Sequence, residues 1–212
     1  MEHGKPEKYR LFVAMSPPAD VKNRIEKAQH QLRRTLPGNT IRWTKREQFH
    51  VTLKFLGNVA ATRVGELTEA LRNVCLGAGA LRLRAERIGF FPGARVPRVL
   101  WVGVQDRQNL LPRLQARVEI GVKEFTKDEA AKPGSAGVSP ASREKFTGHI
   151  TLARIPRLRH SESEILSQAI ADFADPFFGE WTANHVELIR SELSSSGSRY
   201  TTLAEIPLSE IQ

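Results

Sequence analysis

The pattern of apolar and polar positions predicts short strands and helices that alternate along the chain. An apolar run, Arg10–Met15, is followed by two prolines and then by Ala19–Arg34, whose apolar residues recur every three or four positions. The first pattern is typical of a buried strand and the second of an amphipathic helix. Phe49–Leu56 then alternates apolar and polar residues up to Gly57, which predicts a strand with one buried face.

The second half of the chain repeats this order. Arg98–Val104 has the pattern of a strand, Gln108–Val118 that of a helix, and Phe146–Ala153 that of an alternating strand. Each half then continues with one more helix and one more strand. These are Val64–Val74 with Leu81–Phe90, and Glu162–Phe173 with Trp181–Ile189. We therefore predict an α+β protein with two copies of a β-α-β-α-β unit.

A longer connection in the second half accounts for the main difference between the copies. Arg10 and His50 are 40 residues apart, whereas Arg98 and His149 are 51 apart. The extra residues fit into 127–142, KDEAAKPGSAGVSPAS, whose small residues, prolines and glycines are typical of a flexible surface loop. We expect one bilobal domain over residues 1–212, with a polar tail at 1–9 and this insertion at its surface.

Composition and charge narrow the range of functions. Apolar residues make up 40% and charged residues 26%, a usual balance for a soluble globular protein. The N-terminus lacks the apolar core of a signal peptide, and no apolar run approaches the roughly 20 residues of a membrane span. Because Cys75 is the single cysteine, the chain cannot form an intramolecular disulfide. We expect a cytoplasmic monomer that does not bind membranes. The net charge of +9 favours polyanionic partners such as nucleic acid.

The two alternating strands carry the same motif, His50-Val-Thr-Leu53 in the first half and His149-Ile-Thr-Leu152 in the second. Alternate residues of a strand point to the same face, so each histidine shares a face with its threonine while the aliphatic residues face the core. One His-x-Thr is a weak signal, and two polar strand faces would explain both motifs without chemistry. Because they recur at equivalent places in a duplicated unit, we predict that they line one cleft.

Two imidazoles and two hydroxyls in one cleft suit in-line hydrolysis of a cyclic phosphodiester. A neutral imidazole can take a proton from water while a protonated one gives a proton to the departing ribose oxygen. The hydroxyls can donate hydrogen bonds to the non-bridging oxygens. A zinc site on the same histidines is an alternative, although no carboxylate or cysteine lies at ligand spacing beside either. A silent module that binds RNA ends, or 2'-5' RNA ligation by the reverse reaction, are further alternatives.

Longer segments support this interpretation. They are RLFVAMSPP, RWTKREQFHVTLKFLG, GFFPGARVPRVLWVGV, HITLARI and ELIRSELSSSGSRYTTLAEIPL. Over Tyr9 to about Pro207 the chain resembles the 2H phosphoesterase superfamily, in the branch of RNA 2',3'-cyclic phosphodiesterases similar to 2'-5' RNA ligases. The resemblance implies a bilobal α+β fold with antiparallel sheets around a central cleft. It also implies hydrolysis of RNA or nucleotide 2',3'-cyclic phosphate ends to 2'-phosphomonoesters without a metal or other cofactor.

The resemblance also implies a role for each motif residue. His50 would be the proton donor and His149 the proton acceptor, an order that spacing alone does not give. Thr52 and Thr151 would hold the phosphate. One departure is Gly148, since this branch often has proline before the second histidine.

Outside the motifs, Arg154 is the strongest further candidate for binding phosphate, because it follows the second motif on the same strand. Strand parity counted from His149 places Arg154 on the opposite face, unless the strand ends or twists there. Other candidates are aromatic residues that could stack on a base and cations that could attract the RNA backbone. They are Trp43, Phe49, Phe90 and Phe91, and Arg42, Lys45, Arg46 and Lys54.

Overall fold

The structure is a computed structural model, and it describes five stretches of the chain. These are residues 7–35, 41–126, 146–173, 176–194 and 197–208. The predicted insertion at 127–142 and the first six residues of the predicted tail lie outside the described residues.

The structure contains the predicted strands and helices in the predicted order, together with two strands that the sequence analysis did not predict, Arg42–Trp43 and Gly197–Pro207. The strands are β1 (Lys8–Met15), β2 (Arg42–Trp43), β3 (Val51–Ala60), β4 (Leu81–Phe91), β5 (Val99–Gln105), β6 (His149–Arg154), β7 (Phe177–Ala183), β8 (His185–Ser194) and β9 (Gly197–Pro207). The helices are α1 (Ala19–Thr35), α2 (Val64–Cys75), α3 (Leu110–Gly121) and α4 (His160–Ala171), and short 3₁₀ turns span Arg46–Gln48, Ala61–Arg63 and Lys123–Thr126. Among the described residues, no helix combines the length and the apolar character needed to cross a bilayer.

The nine strands of the described residues form one antiparallel sheet, which confirms the predicted fold class. Its order is β7-β4-β5-β6-β3-β1-β8-β9, and β2 also pairs with β6. The two predicted repeats exchange their third strands, because β4 of the first pairs with β5, and β8 of the second pairs with β1. Each half of the sheet, β7-β4-β5-β6 and β3-β1-β8-β9, therefore contains strands from both repeats.

One strand prediction is wrong. Trp181–Ile189 is not a single strand, since β7 ends at Ala183 and β8 begins at His185. The two strands lie in different halves of the sheet, β7 at one edge beside β4 and β8 beside β1. A single residue, Asn184, joins them, so the sheet has to curl until its two halves approach each other.

The helices cover one face of this sheet. Val21, Ile25 and Leu32 of α1 pack in the main core with strand residues such as Val51 and Ile150. The core also receives the apolar faces of α2, α3 and α4, and Cys75 is buried in it. The opposite face of the sheet is left for polar groups, and there Phe12, Ala14 and Ile189 form a small separate apolar cluster with Tyr200.

Candidate active site

The two His-x-Thr motifs meet where the halves of the sheet join. β3 and β6 pair through Val51 and Ile150, both fully buried on the core side. On each strand the histidine and the threonine flank the buried residue of this pair and point to the opposite face, so the four polar side chains lie on the same side of two neighbouring strands. The two histidines therefore flank one gap on that face, and the charge of His149 contributes to lowering the pKa of His50.

Each imidazole is oriented by a carbonyl two residues before it. Nδ1 of His50 lies 2.6 Å from the Gln48 carbonyl oxygen, and Nδ1 of His149 lies 2.8 Å from that of Thr147. A carbonyl oxygen only accepts hydrogen bonds, so Nδ1 carries the proton in both rings. In a neutral ring, Nε2 is therefore the atom that can accept a proton. In a protonated ring, Nε2 is the atom that can donate one.

Aromatic side chains form a wall around His50. Its ring centroid lies 4.9 Å from that of Phe12 and 5.5 Å from that of Tyr200. The preceding residue, Phe49, is fully buried. The side-chain amide of Gln48 donates a 2.6 Å hydrogen bond to the Ser198 carbonyl near the start of β9. These contacts fix the segment that carries His50 against β9 and remove water from one side of its ring.

A matching wall stands beside His149. Phe91 meets His149 edge-on at a centroid distance of 5.0 Å, and the Trp101 ring packs on Phe91 at 5.1 Å. The indole lies over Gly89, where a Cβ atom would overlap its ring atoms. Glycine at this position therefore lets a large ring lie flat on the cleft floor.

Both threonines have free hydroxyls. Thr52 and Thr151 are half-buried beside the histidines, and their hydroxyls make no hydrogen bond to any of the residues that the structure describes. The two threonines thus offer two hydroxyl donors on the strand face that carries the two imidazoles, and their role in holding phosphate stays a prediction.

Arg154 lies on the cleft side, contrary to the parity argument. In the pairing of β5 with β6, Leu100 faces Ala153 and Trp101 faces Thr151, so Leu152 is an extra residue without a partner. Leu152 and Ala153 are both buried, and the alternation resumes one residue late with Arg154 exposed. This bulge turns the Arg154 side chain toward the histidines.

A buried glutamine holds this bulge. Nε2 of Gln29 in α1 donates hydrogen bonds to the carbonyl oxygens of Thr44 at 2.8 Å and Leu152 at 2.9 Å. The Thr44 amide donates to the same Leu152 carbonyl at 2.9 Å. Gln29 is buried, and buried polar groups are usually hydrogen-bonded. Its two amide hydrogens bond two backbone carbonyls beside the irregular part of β6.

Burial keeps both imidazoles neutral in the free protein. The pKa of His50 is lowered to about 4, chiefly by burial; the hydrogen bond to the Gln48 carbonyl raises it, and the charges of Lys22, His149 and Arg154 contribute to lowering it. Burial also lowers the pKa of His149, and Arg154 adds to this effect. Because Arg154 acts on both rings and on the pKa of Tyr200, its guanidinium lies close to all three.

The structure separates the secondary candidates. Arg46 donates a 2.9 Å hydrogen bond to Asn23 on α1, and Lys54 forms a salt bridge with Glu119 on α3. Both side chains therefore point to the helices and not to the cleft. Phe49 is buried in the core and cannot stack on a base. Trp43 and Phe90 pack against the core, and only Phe91 of the four aromatic candidates contacts a catalytic-motif histidine. Arg42 is exposed directly opposite Arg154.

Gly148 is explained by close packing. A Cβ atom there would lie 2.6 Å from the Val104 carbonyl oxygen and 2.8 Å from Cδ2 of Leu111. The Gly148 carbonyl in turn accepts a 2.8 Å hydrogen bond from the Val104 amide. The backbone that leads to His149 is thus pressed against β5, in a space that a proline ring does not fit.

Potential metal ligands cluster away from the histidine pair. Among the described residues, the one group of three is His185, Glu187 and Glu205 on β8 and β9. The Glu187 carboxylate already accepts hydrogen bonds from the hydroxyls of Ser16 and Thr202. Among the residues that the structure describes, no third potential metal ligand lies beside His50 and His149.

Sequence analysis missed several residues that shape the site. Phe12 and Tyr200 flank His50, and Gln29 holds the bulge. Phe12 has the same apolar signal as its buried neighbours, and Tyr200 lies in β9, which was not predicted. For Gln29 a signal existed, since it is a polar residue beside Ala28 and one turn before Leu32 on the predicted apolar face.

Comparisons with known proteins agree with this geometry. The family model described as LigT-like phosphoesterase matches residues 15–101. An Aeropyrum pernix protein named RNA 2',3'-cyclic phosphodiesterase is 32% identical over 160 residues, covering 76% of this chain and 82% of the relative. An Aquifex aeolicus protein of the same name is 27% identical over 199 residues, covering 94% and 97%. The crystal structure of TT0787 from Thermus thermophilus matches with a TM-score of 0.71 and 28% identity, covering 94% and 97%.

Proposed function

Because the chain belongs to the LigT-like phosphoesterase family, we propose that it hydrolyses 2',3'-cyclic phosphate ends of RNA to 2'-phosphomonoesters. The observation that carries the proposal is the paired arrangement of the two motifs. The motifs pair through Val51 and Ile150, the residues between each histidine and its threonine, and Nδ1 of each histidine lies at hydrogen-bond distance from a backbone carbonyl. The relatives that cover most of the chain are named RNA 2',3'-cyclic phosphodiesterases, which supports this substrate class.

The reaction divides between the two rings. Nε2 of His149 takes a proton from a water molecule as its oxygen attacks phosphorus and forms the new P–O bond. The bond from phosphorus to the ribose 3' oxygen breaks, and Nε2–H of protonated His50 gives its proton to that oxygen. The assignment of donor and acceptor follows the resemblance to the family, since the two rings are equivalent in their backbone contacts.

Charge stabilisation comes from the groups around the gap. The Thr52 and Thr151 hydroxyls donate hydrogen bonds to the non-bridging oxygens, and the Arg154 guanidinium offsets the charge that shifts onto them in the transition state. The backbone that carries Thr151 and Arg154 is fixed by the pairing of β6 with β5 and by the bond from Gln29 to Leu152.

The bound phosphate also supplies the proton donor. In the free protein both histidines have a lowered pKa and are neutral near pH 7. A cyclic phosphate carries one negative charge, which favours the protonated form of an adjacent imidazole and offsets the effect of Arg154. Binding of substrate therefore raises the pKa of the pair, and one proton taken up with the substrate serves as the acid.

A product assay tests the proposal. A nucleoside 2',3'-cyclic phosphate and a short RNA with the same end are incubated with the protein and excess EDTA, and the 2'- and 3'-phosphate products are separated. We expect the 2'-phosphate with and without EDTA. Loss of turnover with EDTA would favour the zinc alternative, and binding without turnover would favour a silent RNA-binding module.

A further inference from the structure

Two arginines face each other at the end of the cleft where β2 meets β6. Arg42 and Arg154 form a directly opposed antiparallel pair, and both are exposed. Side chains of such a pair point to the same face with Cβ atoms about 4.5–5.5 Å apart, and like charges there repel each other. The arrangement is unfavourable unless a negative group lies nearby.

No protein carboxylate supplies that negative charge in the described part of the chain. Other arginines of the sheet and helices have such partners, as Arg84 does with Glu86 and Arg190 does with Glu192. Arg42 and Arg154 form no ion pair with any described residue. Their guanidinium groups thus present two adjacent forks for an anion.

The two arginines continue the row of groups that line the cleft. Along β6 the cleft side carries His149, then Thr151, and after the bulge Arg154. On the neighbouring strands the facing groups are Thr52, His50 and then Arg42. The arginine pair therefore lies beyond the pair of His50 and Thr151, at the end of the cleft away from His149.

We propose that Arg42 binds the phosphodiester that precedes the cyclic phosphate in an RNA chain, next to Arg154. This inference rests on the proposed function, because it assumes that the cyclic phosphate lies between the histidines. A cyclic mononucleotide has one phosphate and leaves Arg42 without an anion, whereas an oligonucleotide end fills both positions. The physiological substrate class is then an RNA end rather than a free cyclic nucleotide.

The test compares two substrates in Arg42→Gln, Arg154→Gln and Arg113→Gln. Arg113 is an exposed arginine on α3, on the helical side of the sheet, so its variant matches the change in net charge. For Arg42→Gln we expect kcat/KM to fall about tenfold on a short RNA with a 2',3'-cyclic end, the loss of one charged hydrogen-bonding contact, and to stay within about twofold on the cyclic mononucleotide.

Salt dependence provides a second measurement. The affinity for the 2'-phosphorylated RNA product, plotted as log K against log salt concentration, should lose about 0.7 from its slope in Arg42→Gln, as expected when a single-strand phosphate contact is removed. Arg42→Lys, which keeps the charge but loses the fork, should retain most of that slope. Arg113→Gln should change neither quantity.

The outcomes separate this inference from the proposed function. Equal losses on both substrates in Arg42→Gln, or no loss on either, would overturn the role of Arg42. Full activity of Arg154→Gln on both substrates would instead contradict the proposed site, whatever Arg42 does. Selective loss on RNA with Arg42→Gln, together with loss on both substrates with Arg154→Gln, supports both.

Discussion

Gln29 of α1 donates a 2.9 Å hydrogen bond to the carbonyl of Leu152, which lies 123 residues further along the chain. This bond and its companion to Thr44 hold the bulge that turns Arg154 into the cleft. A side chain that makes no contact with the substrate thus positions a group proposed to bind it.

Replacement of Gln29 by methionine keeps the side-chain volume and removes both hydrogen bonds. We expect a loss of about 1–3 kcal/mol in the free energy of unfolding, because the partly buried Thr44 carbonyl is left without its hydrogen bond. We also expect about a tenfold lower kcat/KM, with almost no further loss when the change is added to Arg154→Gln, since coupled residues are not additive.

A matched control uses Ile25, a buried residue of the same helix. Ile25→Val should cost about 0.5–1.5 kcal/mol of stability without changing kcat/KM. If Gln29 had only a structural role, Gln29→Met would lower stability without changing kcat/KM, as expected for Ile25→Val. A loss of kcat/KM in Gln29→Met that adds in full to the loss in Arg154→Gln would likewise contradict the role of Gln29 in positioning Arg154.

The pH dependence of stability should reveal the buried neutral His50. Its pKa is about 4 in the folded protein, below the ordinary value of 6.5, so the unfolded chain binds more protons between these values. The contribution of His50 to stability is full above pH 6.5 and is lost as the pH falls toward 4. Thermal unfolding should therefore show a smaller drop in Tm from pH 7 to pH 4 in His50→Gln than in the wild type. Equal drops would contradict the burial of the ring.

The pH dependence of activity should differ between free and substrate-bound protein. The profile of kcat/KM reports the free protein, in which both histidines have a lowered pKa, so its optimum should lie on the acidic side of pH 6.5. The profile of kcat reports the complex, in which the phosphate charge raises the pKa of the pair, so its optimum should lie at higher pH. Coincident optima would show that the substrate does not supply the charge.

The close packing of Gly148 predicts which substitutions the chain tolerates. Gly148→Ala should lower the free energy of unfolding by about 1–3 kcal/mol, because its Cβ would press on the Val104 carbonyl and Leu111. Gly148→Pro should lower it further. In Gly65→Ala, on α2, the new methyl group has open space and the variant should gain about 0.5–1 kcal/mol. Chemical denaturation of these variants measures the differences.

Strand alternation allowed the motif faces to be predicted, because Val51 and Ile150 have to be buried and their neighbours then face the other way. The position of Arg154 could not be predicted in this way. It depends on an extra residue in β6 that is held by Gln29, and no local pattern marks such a bulge. The split at Asn184 escaped prediction for a similar reason, since two short strands with one residue between them look like one longer strand.

The aromatic wall around His50 was also beyond sequence analysis. Phe12 and Tyr200 lie far apart in the chain and meet at His50 only because β1, β8 and β9 are neighbours in the sheet. The same non-local packing sets the pKa values of the histidines. Residue identity indicated the chemistry, whereas the protonation state comes from the fold.

The most direct test of the account is the single-turnover rate of His50→Ala, His149→Ala and the double variant on an RNA with a 2',3'-cyclic end. Each single variant should be at least about a hundredfold slower than the wild type, a usual loss for a general acid or base. The double variant should be slower by much less than the product of the two losses, because each ring needs the other. A wild-type rate in either folded single variant would contradict the two-histidine mechanism.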